Sequence, residues 1–443
     1  MKIRLSEHFT YKRLLRFVFP SIIMMIFTSI YGVVDGLFVS NFVGGKEFAA
    51  LNLIMPFIMI IGGMGFMVGT GGSALVAKIL GSGDSEKANQ CFTMMIYFTI
   101  IMGVVLTIPG ILFIRPAAKF LRATDEMADK CVIYGATAIA FTTAFMLQNV
   151  FQSFLAAAEK PHLGLAVTVA AGVVNALLDA LFMVVFKWGL FGAAFATGIG
   201  QVVGGFIPFI YFARKNSSLL HLTKTKFNAK LIFSACANGS SEFMTNISSS
   251  IVGMLYNFQL MRLIGEDGVS AYGVLMYVQF IFIAIAIGYS IGSAPIVSYH
   301  YGAQNNGELK NMLKKSSVLM CITGILLMIT ARILTKPLAH LFVGYNENVF
   351  NITCRAFDLF SYAFIFSAFN IFASGFFTAL NNGGVSAAIS FLRTLVFQAM
   401  AVLILPVIIG NDGIWLAITI AEIFAFIISV AFIITKRNKY HYI

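Results

Sequence analysis

Few residues in this 443-residue chain can do chemistry, and the first two are carboxylates set among apolar neighbours. Asp35 lies in the run SIYGVVDGLFV and Asp179 in VVNALLDALFM. A carboxylate at the centre of a bilayer costs about 2.5–3.5 kcal/mol on insertion scales, so one retained there calls for a role. Asn175 stands four residues before Asp179, a spacing that puts amide and carboxylate on one face of a helix. Two carboxylates with neutral oxygen donors can hold Na⁺ or share a proton. The competing reading is a static hydrogen-bonded pair that fastens helices.

The second half of the chain has its own acids. Glu242 lies in NGSSEFMTNISSS and Asp358 in CRAFDLFSY. Asp358 and Glu422 are close enough to the ends of apolar runs that snorkelling to the interface would also accommodate them. Arg393 sits inside an apolar run and needs either a carboxylate or an interface as its partner. Pro20 precedes Asp35 by fifteen residues. It removes one helical hydrogen bond, which makes either a fixed kink or a point of bending.

Other groupings are weaker. The glycines of GGMGFMVGTGG at 62–72 lack a phosphate-loop pattern. Gly65 and Gly69 instead form the close-packing face of a buried helix. The five cysteines have no zinc spacing, the six histidines make no HExxH, and no Ser/His/Asp set falls at one depth. A bound cofactor and an enzymatic function are therefore not expected.

The elements that must position these residues follow from composition. The chain is 59% hydrophobic and only 11% charged. A soluble domain carries about 25% charged residues, so this sequence cannot cover a soluble globule. Apolar runs fall at roughly 15–39, 50–77, 92–114, 132–157, 163–186, 190–213, 232–261, 269–299, 317–334, 353–380, 385–408 and 413–435, which is twelve spans. They are too long and too evenly apolar for barrel strands. The expectation is an all-α polytopic membrane protein. The basic amphipathic start, MKIRLSEHFTYKRLLRF, shows no cleavage site for a signal peptide. The net charge of +12 is expected from basic cytoplasmic loops, and no basic run interleaves with aromatics as a nucleic-acid platform would need. The basic residues concentrate in alternate loops, which predicts that both termini are cytoplasmic.

A shift of 221 residues aligns the two halves without a gap: Gly32 meets Gly253, Gly44 meets Gly265, Gly71 meets Gly292, Gly81 meets Gly302, and Arg115-Pro116 meets Lys336-Pro337. Two six-span lobes are expected, at 1–213 and 232–443, joined by a basic cytoplasmic linker at 214–231. An even span count gives both copies the same orientation, related by a pseudo-two-fold axis along the membrane normal, with a cavity between the lobes. The acids are not duplicated: Asp35 and Asp179 align with Tyr256 and Met400, and Glu242 and Asp358 with Ser21 and Thr137.

With those residues in view, the chain resembles the multidrug and toxic compound extrusion (MATE) exporters along essentially its whole length. The resemblance rests on FPSIIMMIFTSIYGVVDGLFV at 19–39, NALLDALF at 175–182, GAAFATGIGQ at 192–201 and SSEFMTN at 240–246. GGVSAAISFLRT at 383–394 looks like the bacterial subgroup that exports cationic dyes. QSFLAAAEKP at 152–161 departs from the glycine-containing stretch common in relatives. The resemblance implies cation-coupled export by rocker-switch alternating access. It implies an amino-lobe site for H⁺ or Na⁺ at Asp35, Asn175, Asp179 and Thr197, a carboxy-lobe pair at Glu242 and Asp358, and helix bending at Pro20. The resulting expectation is a monomeric multidrug antiporter of the bacterial cytoplasmic (inner) membrane. Its substrates would be small cationic amphiphiles, its surroundings membrane lipid, and nucleic acid no partner. A lipid or lipid-linked oligosaccharide flippase of the same superfamily is the alternative. It would be expected to line its cavity with cations rather than acids.

Overall fold

The computed structural model describes residues 3–121, 123–344 and 346–442, and the described residues contain helices but no strand. The first two residues of the expected amino lobe and the last residue of the carboxy lobe lie outside them. The helices are α1 (Tyr11–Phe38), α2 (Gly45–Gly81), α3 (Ser85–Phe120), α4 (Asp125–Ala140), α5 (Thr142–Ala157), α6 (Pro161–Asp179), α7 (Gly189–Ala213) and α8 (Ala229–Leu263). They continue with α9 (Glu266–Gly302), α10 (Asn306–Val343), α11 (Glu347–Phe360), α12 (Ala363–Ala379), α13 (Gly383–Phe391), α14 (Gln398–Ile409) and α15 (Asp412–Tyr440).

Among the described residues, nine spans are single runs of apolar helix, counting the π-helical continuations of α1, α6 and α13. Two more are bent pairs, α4–α5 at 54° and α11–α12 at 53°. The twelfth is α8. Its 35 residues, about 52 Å at helical rise, are long enough to cross. Its serines, Asn238, Glu242 and Asn246 make it the least apolar of the set.

The duplication is visible element by element. α2 and α9 coincide at both ends after a shift of 221 residues, and the bends of the two broken spans fall at equivalent places. Asp84 caps α3 by accepting from the Lys87 amide, and Asn305, its equivalent, caps α10 by accepting from the Glu308 amide. Gly44 and Gly265, also equivalent, take φ of +142° and +91° in the turns before α2 and α9. A side chain would be strained there, which explains why glycine stands in both copies.

The halves meet through α1 against α9 and α2 against α8, the same pairing exchanged between copies. Glycines allow the contact. A Cβ on Gly71 would overlap the Ala235 carbonyl, and one on Gly239 the Met67 carbonyl. In the exchanged pair, a Cβ on Gly292 would come to 3.1 Å of the Val18 Cα and one on Gly288 to 2.6 Å of the Ile22 Cα. Near the ends of α2 and α9, Gly81 lies against the Tyr299 carbonyl and Gly302 against that of Lys78, again with no room for a Cβ. At the other end of the interface, Gly32 and Gly253 face open space.

The closed end is also where the described residues begin and end, and it is called the terminal face below. The N-terminal segment straps it. The Leu5 amide donates to Glu159 Oε1 at 2.8 Å in the first half, and the Phe9 amide to Glu308 Oε1 at 2.9 Å in the second. Lys315 Nζ donates to the Phe9 carbonyl at 2.6 Å, and Leu5 and Phe9 are fully buried. The connection at 214–228 lies along α3, with the His221 amide donating to Asn89 Oδ1 and the Thr223 amide to Thr93 Oγ1. α8 begins inside the expected linker because Asn228 caps it, accepting from the Leu231 amide.

Candidate ion-coupling site

Four helices of the first half converge on the two acids. α1 supplies Tyr31 and Asp35, α5 supplies Gln148, α6 supplies Asn175 and Asp179, and α7 supplies Thr197 and Gln201. α6 and α7 approach closely at Gly200, where a Cβ would come within 3.1 Å of both the Ala171 carbonyl oxygen and the Asn175 Cβ. That approach places Asn175 Nδ2 3.4 Å from Thr197 Oγ1, to which it donates. Thr197 Oγ1 in turn donates to the Ala193 carbonyl at 3.1 Å, so its remaining lone pair is free to accept.

The Asp35 carboxyl faces both Asp179 and Thr197. Asp179 is fully buried and Asp35 nearly so. Asp35 Oδ1 and both carboxylate oxygens of Asp179 have no hydrogen-bond partner among the described residues, and neither has Gln148 Oε1. Buried polar atoms are paired in the great majority of cases, so a cluster of orphaned carboxylate oxygens calls for an occupant. Beside them lies a cavity of ≈ 10 Å³ lined by Tyr31, Gln148, Asn175, Thr197, Gly200 and Gln201. That is room for about one water-sized particle.

The donor set is all oxygen and amide. Hard oxygen ligands suit an alkali or alkaline-earth cation, and no group of three His, Cys, Asp or Glu suited to a transition metal occurs among the described residues. A proton shared between the two carboxyls, or one cation bridging them, would equally remove the repulsion of like charges.

Both acids stand next to π-helical turns. Val39–Val43 follows Asp35 by one turn, and Ala180–Val185 begins immediately after Asp179. A third, Leu392–Phe397, contains Arg393. Such turns widen the helix and loosen its hydrogen bonding, and they concentrate at functional positions. Pro20 is buried within α1, which runs on through it without a break.

The carboxy-lobe residues are arranged differently. Arg393 Nε donates to Glu422 Oε1 at 2.9 Å, and Asn370 Nδ2 donates to Glu422 Oε2 at 2.7 Å. Both members of the pair are buried, so Glu422 does not snorkel; its charge is neutralised inside the lobe. Glu242 lies within electrostatic reach of Arg393. Asp358 is exposed on α11, near Arg355, so the structure places it with a different cation from Glu242. Tyr31, Gln148, Gln201 and Asn370 were not singled out from the sequence. A signal existed for Tyr31, one helical turn before Asp35, and for Gln148, a polar residue in an apolar run.

The family model MatE matches the chain twice, over residues 20–181 and again over 243–404. The chain belongs to the MatE family. Its members are transporters rather than enzymes, and the two matches cover most of both halves. The multidrug export protein MepA of Staphylococcus haemolyticus is 24% identical over 314 residues, 70% of this chain and 68% of that protein. A crystal structure of MATE in complex with MaL6 superposes with a TM-score of 0.93 at 21% identity, over 99% of this chain and 98% of that one. An outward-facing multidrug resistance MATE transporter of the MOP superfamily superposes at 0.92 with 20% identity, over 99% and 98%. These structural likenesses establish the fold.

Proposed function

We propose that this MatE-family chain is a multidrug efflux antiporter of the bacterial cytoplasmic membrane, exchanging small cationic or amphiphilic compounds for H⁺ or Na⁺. The observation that carries the proposal is the pair Asp35 and Asp179, buried face to face with three carboxylate oxygens lacking any donor among the described residues. An intramembrane acid pair without a partner is suited to take up and release a cation. Asn175 and Thr197 supply the neutral oxygens that complete the cradle, and Tyr31 and Gln148 close it.

In this reading the terminal face is cytoplasmic, as the basic loops predict, and the closed contact there defines an outward-facing state of a rocker switch. Ion binding joins α1 to α6 and α7. Because Asp35 lies beyond Pro20 on the same helix, charge neutralisation at the acid would be expressed as a change in the curvature of α1. The two acids buried in the amino lobe favour exchange of cations and oppose phosphate-bearing lipids, which separates this reading from a flippase. Glu242 and Asp358, held near different arginines, are assigned a secondary role, tuning the carboxy lobe.

The test is efflux of a cationic dye from proteoliposomes under an imposed pH or sodium gradient. Gradient-driven movement that is lost in Asp35→Asn, with insertion unchanged, is the expected result. Equal movement with and without either gradient would overturn the proposal, and movement of a fluorescent phospholipid but not of the dye would favour the flippase.

A further inference from the structure

A second cavity, of ≈ 350 Å³, opens at the terminal face, far along α2 from the acid pair. That volume falls at the lower end of the range for small-molecule sites, about 300–1,000 Å³. Lys78 and Ser82 reach it from the end of α2, Lys87 from the first turn of α3, and Tyr301 and Gln304 from the end of α9. Leu75, Ile79 and Leu231 give it an apolar wall. No carboxylate lines it, and neither lysine has an ion-pair partner among the described residues. Lys78 Nζ is held 4.9 Å above the Tyr301 ring, a contact that fixes the stem and leaves the ammonium protons available.

The position adds a second argument. The lining residues sit at the ends of membrane-length helices, and basic pockets between the ends of spans recognise phosphorylated head groups. They also come from both halves: α2 and α3 on one side, α8 and α9 on the other. A ligand here touches both lobes only while the terminal face is closed.

We propose that this cavity binds the phosphate group of an anionic ligand, through Lys78, Lys87, Ser82 and Gln304, and that the bound phosphate holds the two lobes together at the terminal face. The phosphate could belong to a phospholipid head group, with its glycerol and upper acyl chain along Leu75, Ile79 and Leu231, or to a soluble phosphate. The binding stands on the cavity alone; the effect on transport rests on the proposed antiport.

The experiment uses the full chain in nanodiscs, wild type beside Lys78→Gln/Lys87→Gln and the single exposed variant Lys87→Gln. Retention of phosphatidylglycerol against phosphatidylcholine is counted by native mass spectrometry, and thermal unfolding is followed with inorganic phosphate against chloride at equal ionic strength. Retention of one extra phosphatidylglycerol by wild type, at least ~10-fold weaker in the double variant and intermediate in Lys87→Gln, supports the site with lipid as source. Stabilisation of wild type by inorganic phosphate, absent from both variants, supports it with a soluble source. Equal behaviour of wild type and variants toward both probes overturns it. Dye efflux is then measured with the effective probe: slower turnover in wild type and not in the variants is expected. Binding with no change in turnover overturns the lobe-holding role. Absence of gradient-driven efflux under every condition counts against the antiport reading and leaves the binding result standing.

Discussion

Asp179→Asn separates an ion site from a structural fastener, because the two make opposite predictions for the empty protein. In the structure neither Asp179 oxygen has a donor, and its nearest charged neighbour is another carboxyl, Asp35. Two unit charges about 4 Å apart at an effective dielectric of about 20 repel by about 4 kcal/mol. A proton or cation must offset that term, and the amide removes it without changing the side-chain shape. The variant should therefore be at least as stable as wild type when the coupling ion is withheld. Wild type should gain from its ion about 2.7 kcal/mol at a hundredfold excess over Kd. With an unfolding entropy of about 2 cal/mol/K per residue over 443 residues, that gain raises the melting midpoint by about 3 °C. The variant should lose this ion-dependent rise and, with it, gradient-driven dye efflux. The assay is thermal unfolding in nanodiscs across sodium concentration and pH, alongside proteoliposome efflux. A variant that melts far below wild type in ion-free buffer would show that the pair fastens helices. A variant that keeps both the rise and the efflux would refute the assignment outright. Asp35→Asn and the double variant should lose as much as either single change, since the two carboxyls act as one unit.

Three other perturbations test other parts of the structure. Glu422→Gln leaves Arg393 buried without its counter-charge and should destabilise the carboxy lobe by about 3–5 kcal/mol in unfolding measurements, while Arg393→Met with Glu422→Met should recover most of the loss. Gly302→Ala places a methyl on the Lys78 carbonyl and should push α2 and α9 apart, read as a longer distance between spin labels at positions 82 and 303, directly after the two helices; an unchanged distance would contradict the close packing. Glu308→Gln removes the charged acceptor of the Phe9 amide and of His8, weakening the N-terminal strap by about 1–3 kcal/mol, and hydrogen exchange at the Leu5 and Phe9 amides should speed up accordingly.

The spans and their duplication were legible in the sequence because lipid imposes a length and a composition that soluble helices need not obey. α8 was legible as the apolar run 232–261, although its serines and Glu242 lower its apolar character below that of its equivalent, α1. Of the site, Asp35, Asn175 and Asp179 could be read from residue type and i,i+4 spacing, whereas Thr197 came only through the family resemblance. Tyr31 and Gln148 share a cavity with residues 23 to 170 positions away along the chain, and no local pattern encodes that meeting. The π-helical turns were not legible either, since their sequences, such as ALFMVV after Asp179, are ordinary apolar helix. The partner of Arg393 lies 29 residues away on another helix, and only packing identifies it as Glu422.

The asymmetry of the halves bears on where coupling can occur. The scaffold is duplicated closely enough that glycine turns and helix caps recur at the same offset, yet the polar interior is not. Where α1 presents Asp35, α8 presents Tyr256, which stacks on Tyr272 with ring centroids 4.8 Å apart and planes 11° apart. Where α6 presents Asp179, the equivalent position carries Met400 on α14, an exposed apolar side chain. The carboxy lobe does contain buried charge, but Arg393 and Glu422 pair directly and Asn370 Nδ2 donates to the same carboxylate, so the charge is already balanced although Asn370 Oδ1 has no partner among the described residues. An equilibrium can be shifted only by a ligand that binds its states differently. The amino lobe, with orphaned oxygens drawn from separate helices, has the means to bind an ion in one arrangement of those helices and release it in another. The carboxy lobe, whose Arg393 and Glu422 already pair, is suited to act as the rigid body against which that rearrangement works. If the proposed antiport is right, exchanging the two chemistries should expose this division. Restoring charge in the carboxy lobe with Tyr256→Asp should not rescue efflux in Asp35→Asn, because the helices there lack the paired acid that makes ion release possible. Rescue in that double variant would show that either lobe can couple, and the asymmetry would then carry no functional meaning.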